Sequence, residues 1–405
     1  MSKLLCLCDS PTRETGIARV AKNLLKRWHD AGAFERIDVW AIGYEGWPHD
    51  LPYTMFPAQR YTAPHWYQPE NLSRFLSMVE GGGYTHVWIM QDTFHFSGLA
   101  KPLHDACKRK KIKSLFYFPV DAPLDTEWCE ILHAVHHPVA YCEYGRNEAI
   151  SASRFQQRVT LQQKMEVIPH GVDPAVYRPL PEERARRSEM FRDAKGKSMI
   201  DDNDFLILCV NANQRRKGLV QTLEIFKLLK PRIAAWGTTT EVHLYMHMRR
   251  TNGDEQCDLQ TAARQLGVTV LFAPDNLWPA GVHETGLANL YNCADLLLTT
   301  SLGEGWGLPI TEAMACGTPV AGPDHTSIAE IMGGSRGVLF DTRGLDWVPG
   351  DNSRLRPRSD VEDAANKISN AVQNGTLKDN AAFASEWVKG LGWDAIAQTW
   401  LDLMA

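Results

Sequence analysis

The stretch richest in chemistry runs Thr300-Ser301-Leu302-Gly303-Glu304-Gly305-Trp306-Gly307-Leu308-Pro309-Ile310-Thr311-Glu312. It follows a short apolar run, Leu296–Thr300, and opens a helical pattern, so it reads as the turn between a strand and a helix. Pro309 suits a first helical turn, where its missing N–H costs nothing. Gly305 and Gly307, with Trp306 between them and Leu308 behind, leave room for a ligand to reach the backbone. The free N–H groups of such a turn favour an anion of the size of a diphosphate. Two carboxylates flank that anion site, Glu304 in the loop and Glu312 on the helix. A carboxylate accepts hydrogen bonds, so both suit sugar hydroxyls rather than phosphate; one can take a ribose and the other a second sugar. The plain alternative is a solvated loop acid and a first-turn helix acid. The glycine frame argues against it.

A second loop of the same kind is Asn213-Gln214-Arg215-Arg216-Lys217-Gly218, between the apolar run Phe205–Val210 and the helical run Leu219–Leu229. The plain alternative is a solvated basic turn. Asp202-Asn203-Asp204 looks superficially like a metal-binding acidic pair, but it precedes its strand instead of following one and reads as a capped turn. His243 and His247 alternate with Tyr245 on one strand face, which favours satisfied polar groups over a metal site. No metal and no cofactor are expected.

The elements that must position these loops are short apolar runs alternating with helical stretches. Leu4–Cys8, Ile37–Ile42, His86–Met90, Ser114–Phe118, Val139–Cys142 and Glu166–Ile168 read as strands, with helices such as Ile17–Ala31, Asn71–Val79 and Ser97–Arg109 between them. A second series begins at Phe205. Alternation of this kind implies α/β architecture with parallel sheets covered on both faces. At 405 residues the chain is too long for one ordinary core. The expected division is an N-terminal Rossmann-like domain over 1–172, a connection over 173–203 and a C-terminal Rossmann-like domain over 204–390, with a cleft between the halves. Open parallel sheets bind ligands at the carboxyl ends of their strands.

Hydrophobic residues make up 44% of the chain and charged residues 22%, and the formal net charge is −5. That is the balance of a folded protein without a global basic field for nucleic acid. Peripheral contact with a membrane or nucleic acid is left open by the local basic run Lys108–Lys113 but is not indicated by the net charge. Nine cysteines are scattered without a paired framework, which fits reduced thiols and a cytoplasmic location. No run approaches the length of a membrane span.

The Glu304–Glu312 segment resembles the E-x7-E motif of the family 4 (group 1) glycosyltransferases of the GT-B fold. Other pieces agree in order. Val167-Ile168-Pro169-His170-Gly171-Val172-Asp173 is similar to that family's hinge signature, and Asn213–Gly218 to its diphosphate loop. Thr12–Arg19, with Gly16, is similar to its first glycine-containing loop. Trp393 resembles its closing segment, which implies that 391–405 returns as a helix to the N-terminal domain. The resemblance thins from Gly43 to Gly83.

It implies a retaining transferase that moves a sugar from a nucleotide-diphosphate-sugar, a donor bound in the C-terminal half. Glu304 would meet the transferred sugar, Glu312 the ribose and Lys217 the phosphates. Gly16, Arg215, Arg216, Gly305, Trp306, Gly307 and Leu308 complete the expected donor site. Two departures stand out. The family's arginine five positions before the lysine is Ala212 here, so Arg215 or Arg216 becomes its replacement. The family's histidine in the N-terminal active-site loop is absent from Phe118–Pro123, which makes Asp121 the candidate third catalytic group beside Glu304 and Lys217. Another GT-B enzyme, such as a phosphorylase or an epimerase, and a non-catalytic nucleotide-sugar-binding subunit are the alternatives. Donor base, donor sugar, acceptor and oligomeric state are not readable. The N-terminal half is rich in aromatics (Trp47, Tyr53, Tyr61, Trp66, Tyr67, Trp88 and Trp128), on which a flat group could stack.

Overall fold

Runs such as Leu4-Leu5-Cys6-Leu7-Cys8 are apolar on both faces and fully buried, the pattern of strands sandwiched in a parallel sheet. In the computed structural model, which describes residues 2–193, 195–235, 241–251, 257–277, 282–350 and 353–405, they form two such sheets. The chain separates into one unit of Met1–Gly171 with Trp393–Ala405, and another of Val172–Gly392.

The first unit is built on β1 (Lys3–Asp9), β2 (Arg36–Ile42), β3 (Thr54–Pro57), β4 (His86–Met90), β5 (Lys113–Phe118), β6 (His137–Ala140) and β7 (Glu166–Val167), in the order β3-β2-β1-β4-β5-β6-β7, all parallel. The order reverses between β1 and β4, the place where open α/β sheets receive ligands. Helix Gly16–Asp30 follows β1, capped by the Thr15 side chain, which accepts from the Ala18 amide at 3.1 Å. Helix Trp393–Met404 belongs to this unit despite its place in sequence. Trp400 packs edge-on to Trp28 and Trp88, at 6.3 and 5.9 Å between ring centroids. The Trp28 indole donates to the Ala397 carbonyl at 3.2 Å, and His86 Nε2 lies 3.0 Å from the Met404 carbonyl.

The second unit carries β8 (Phe205–Val210), β9 (Val242–His247), β10 (Leu271–Phe272), β11 (Leu296–Leu298), β12 (Val320–Pro323) and β13 (Val338–Phe340), ordered β10-β9-β8-β11-β12-β13 and again all parallel. Here the reversal falls between β8 and β11. An antiparallel pair, β14 (Thr342–Trp347) and β15 (Leu355–Ser359), follows. Among the described residues no helix is long and apolar enough to cross a membrane. Among the described residues no disulfide joins any of the cysteines.

Two expectations need correction. Residues 173–203 pack into the second unit and do not form a separate connection. Arg187 there is 2% exposed, bonds Asp295 Oδ2 at 2.6 Å and donates to the carbonyls of Asp202 and Asp204. A buried guanidinium must be paired, and its partners all lie on the second unit. The chain re-enters the first unit at Trp393, not at 391.

Buried imidazoles give the fold a pH signature. Burial pulls His170 down to about 3, and His95 and His247 to about 4. His170 sits 2.7 Å from Tyr117 Oη, whose own proton goes to the Ile168 carbonyl. These groups stay neutral in the folded protein but take up protons near pH 6.5 once unfolded. Their contribution is therefore complete above that pH and is lost as pH falls toward the folded values. By pH 5 His170 alone costs about 2 kcal/mol. The Asp9 carboxyl, pushed up chiefly by burial, works in the opposite direction. We expect the urea midpoint to fall steadily between pH 7 and 5. A flat profile over that window would contradict the assignment.

Candidate functional site

Adjacent strands β8 and β11 end side by side, and the two loops singled out in the sequence leave from those ends. Lys217 closes a single 3-10 turn, Arg215–Lys217, and Gly218 then enters helix Leu219–Ala234 at φ +61°. A Cβ at Gly218 would stand 2.3 Å from the Thr300 carbonyl oxygen. Only glycine permits both the left-handed backbone and that approach. The Thr300 hydroxyl lies 2.9 Å from the Gly218 carbonyl and 2.7 Å from the Thr222 hydroxyl, stitching the two loops together. A further backbone bond, Leu302 N to Arg216 O at 2.8 Å, does the same.

The result is a direct contact between the two charged residues. Lys217 Nζ donates to Glu304 Oε1 at 2.5 Å, and Arg216 Nη1 stands 4.0 Å from Glu304 Oε2. The side chains of Lys217 and Glu304 are only 9% and 12% exposed. Burial pushes the Glu304 carboxyl up, but Lys217 and then Arg216 outweigh it, so the group lies below the ordinary carboxylate range. Glu304 is thus an ionised acceptor, and Lys217 a charge held at the mouth of the loop.

The Glu304 loop is pinned from β12's side. Ser327 Oγ lies 2.8 Å from both the Glu304 and the Trp306 carbonyls, and the Glu304 amide donates to Thr326 Oγ1 at 3.2 Å. Gly307 then adopts φ +104° and starts helix Leu308–Ala315, with Pro309 in its first turn. Turning the carbonyls of 304 and 306 onto Ser327 orients the loop for the amides that follow. Glu312, one turn into that helix and 2% exposed, accepts from Tyr291 Oη at 2.8 Å. Val210, Asn211, Thr299, Glu304, Gly307 and Pro309 line one recess at the ends of β8 and β11.

The structure therefore brings together Arg216, Lys217, Glu304, Gly305, Trp306, Gly307, Leu308 and Glu312 within the second unit. Arg216 reaches the Glu304 loop, where its Nη1 is also 3.4 Å from the Gly303 carbonyl. Arg215 is exposed and its charge acts on Cys257 instead. Beside Ala212, Asn213 is buried and donates to the Arg249, Arg250 and Cys257 carbonyls, so that part of the loop is a structural brace. Gly16 and Asp121 belong to the first unit. Gly16 is the first residue of a helix, and Asp121 is half-buried in the loop after β5. Asp204 accepts from the Asp201 and Glu241 amides and meets His243 at 2.9 Å, the capped turn expected of it. Tyr291, Thr326 and Ser327 escaped the reading of the sequence. The segment after β12 was within reach of the same rule, since it too is a strand end entering a helix.

Residues 190–347 match the family model described as "Glycosyl transferases group 1". Among curated proteins, a 117-residue stretch is 33% identical to the D-inositol 3-phosphate glycosyltransferase of Kribbella flavida, covering 29% of this chain and 24% of that one. A 67-residue stretch is 40% identical to the O-antigen chain mannosyltransferase B of Escherichia coli, covering 16% of this chain and 17% of that one. The chain thus spans about a quarter or less of the length of these two relatives. Among solved structures, the sucrose-phosphate synthase of Thermosynechococcus elongatus superposes with a TM-score of 0.72 at 15% identity, over 100% of this chain and 98% of that one. Anabaena HepE in complex with UDP-glucose gives 0.68 at 16% identity, over 98% of each. The fold is GT-B. Residues 190–347, which carry the Lys217, Glu304 and Glu312 loops, are thus similar to the group 1 glycosyltransferases.

Proposed function

We propose that this protein transfers a sugar, with retention of anomeric configuration, from a nucleoside-diphosphate sugar to an acceptor hydroxyl. The observation that carries the reading is the buried Lys217–Glu304 contact at the paired ends of β8 and β11, with Glu312 one turn into the helix that follows. In this reading the diphosphate occupies the start of helix Leu308–Ala315. Lys217 and Arg216 stabilise its charge as the bond to the sugar breaks. Glu304 and Glu312 form the two-carboxylate E-x7-E arrangement, taking hydroxyls of the transferred sugar and the ribose respectively. Both carboxylates are already committed to hydrogen bonds, which suits positioning better than attack on the sugar. A front-face departure, in which the leaving phosphate accepts the acceptor's proton, fits that arrangement and favours retention. Asp121 serves the acceptor side. The UDP-glucose bound to HepE supports a nucleotide-sugar as the donor class.

Glu312 offers the direct test. Glu312→Ala removes an acceptor from the ribose and leaves Tyr291 Oη without its carboxylate. Affinity for UDP, measured by calorimetry, is expected to fall by about 1–3 kcal/mol. Tyr291→Phe, which keeps the carboxylate, should bind UDP much more nearly as the parent does. Unchanged UDP affinity in Glu312→Ala would remove that residue from the donor site and with it the proposed placement of the nucleotide.

A further inference from the structure

Three loops of the first unit, leaving the carboxyl ends of β3, β4 and β5, deliver aromatic rings to one place. The loop after β3 brings His65 and Tyr67, the turn after β4 brings Phe94 and His95, and the loop after β5 brings Trp128. Tyr67 stacks on His95 at 4.6 Å between centroids with the planes 16° apart, and His65 stacks on Tyr67 at 5.4 Å and 14°. Phe94 continues the run, 4.2 Å from His95 and 5.3 Å from Trp128. Buried Trp66 supports it from behind, edge-on to His95 at 5.0 Å.

Core packing does not account for this wall. Tyr67 is 41% exposed and His65 is exposed, while Phe94, His95 and Trp128 are each partly open. Three near-parallel rings (His65, Tyr67, His95) continued by the tilted Phe94 and Trp128, all partly open to solvent at the ligand-receiving end of a sheet, form a stacking surface. Burial holds His95 neutral above about pH 4, so its ring adds no positive charge there. The loops that carry the rings are acidic in sequence. Segments 58–70, 91–99 and 119–130 contain one cation, Arg60, against six carboxylates, Asp92, Asp121, Asp125 and Glu127 among them. Loops of that composition disfavour a phosphate or a nucleic-acid backbone. The opposite holds for a pyranose: its C–H face packs on an aromatic ring, and its hydroxyls donate to carboxylates. The basic run Lys108–Lys113 lies at the other end of the sheet, where it leads into the start of β5.

We infer that the ring wall His65–Tyr67–His95–Phe94–Trp128 binds the face of a neutral saccharide, and that the acceptor of this protein is therefore an uncharged glycan. Calling that saccharide the acceptor rests on the glycosyltransfer reading above; its binding to the wall does not. The same reasoning sets this chain apart from an enzyme built for a phosphorylated polyol.

The test is calorimetry on the full chain with maltotriose, cellotriose and mannotriose as neutral probes, and with myo-inositol 1-phosphate and a single-stranded oligodeoxynucleotide as anionic ones. At least one neutral trisaccharide should bind, and neither anionic probe should match it. Tyr67→Ala and Phe94→Ala should weaken that binding about tenfold each, whereas Tyr67→Phe, which keeps the ring, should stay close to the parent. UDP affinity should be the same in all of them. Failure of every neutral trisaccharide to bind overturns the inference, as does stronger binding of an anionic probe or undiminished binding to Tyr67→Ala and Phe94→Ala. A parent chain that binds trisaccharide but not UDP would instead overturn the donor reading and leave the wall standing.

Discussion

Lys217→Ala is expected to lower the affinity for UDP by about two orders of magnitude while barely changing that for uridine, because the ammonium addresses only the phosphates. It should also destabilise the second unit. Glu304 would be left as a buried carboxylate without its 2.5 Å partner, a loss that reaches about 3–5 kcal/mol for a fully buried pair and somewhat less at the 12% exposure seen here. The two effects separate in the double variant Lys217→Ala/Glu304→Gln. It should recover much of the stability, since the stranded charge is gone, and none of the UDP affinity. If Lys217→Ala binds UDP as the parent does, the loop is a structural ion pair and the donor assignment fails.

Gly218→Ala is expected to be strongly destabilising. The substitution forces an L-residue to φ +61° and puts its Cβ 2.3 Å from a backbone oxygen that belongs to the other loop of the site. Relief requires the β8 and β11 loops to part, which separates Lys217 from Glu304. The expected loss is on the order of 3–4 kcal/mol, or about 10 °C in Tm. Gly267 is the internal control. It has φ +73° in the same unit, but a Cβ there meets nothing within 4 Å. Gly267→Ala should therefore show the backbone strain alone, about 1 kcal/mol. Equal melting temperatures for the two variants would show that the close approach to Thr300 does not matter.

What could be read in the sequence and what could not follows from where the signal lies. Strands such as Leu4–Cys8 and Phe205–Val210 announce themselves, because a strand buried on both faces is an unbroken apolar run. Glu304, Lys217 and the glycines around them were legible for a related reason: charged residues framed by glycine between a strand and a helix have few structural uses. Edge strand β3 (Thr54–Pro57) was not found. It has one buried residue and ends in a proline, as an edge can. Tyr291 was invisible because a hydroxyl carries no pattern of its own; it gained a role only when Glu312, 21 positions along, arrived beside it. The charged stretch 182–187 misled in the opposite direction. It reads as a solvated connection, yet Arg187 is buried against Asp295, 108 positions away, and no local window contains that pairing.

The helix Trp393–Met404 has a consequence for how the molecule is made. The first unit lacks a wall of its core until residues 393–404 have left the ribosome, since Trp28 and Trp88 wait for Trp400 and His86 waits for the Met404 carbonyl. The second unit is continuous in sequence, so it can finish first although it is synthesised later. Until then the earlier half is an unfinished sheet with an open tryptophan slot, and it is this half that carries the ring wall. Chaperones should find their longest-lived client surface there, and a premature stop before residue 393 should yield a chain with one folded half and one sticky one.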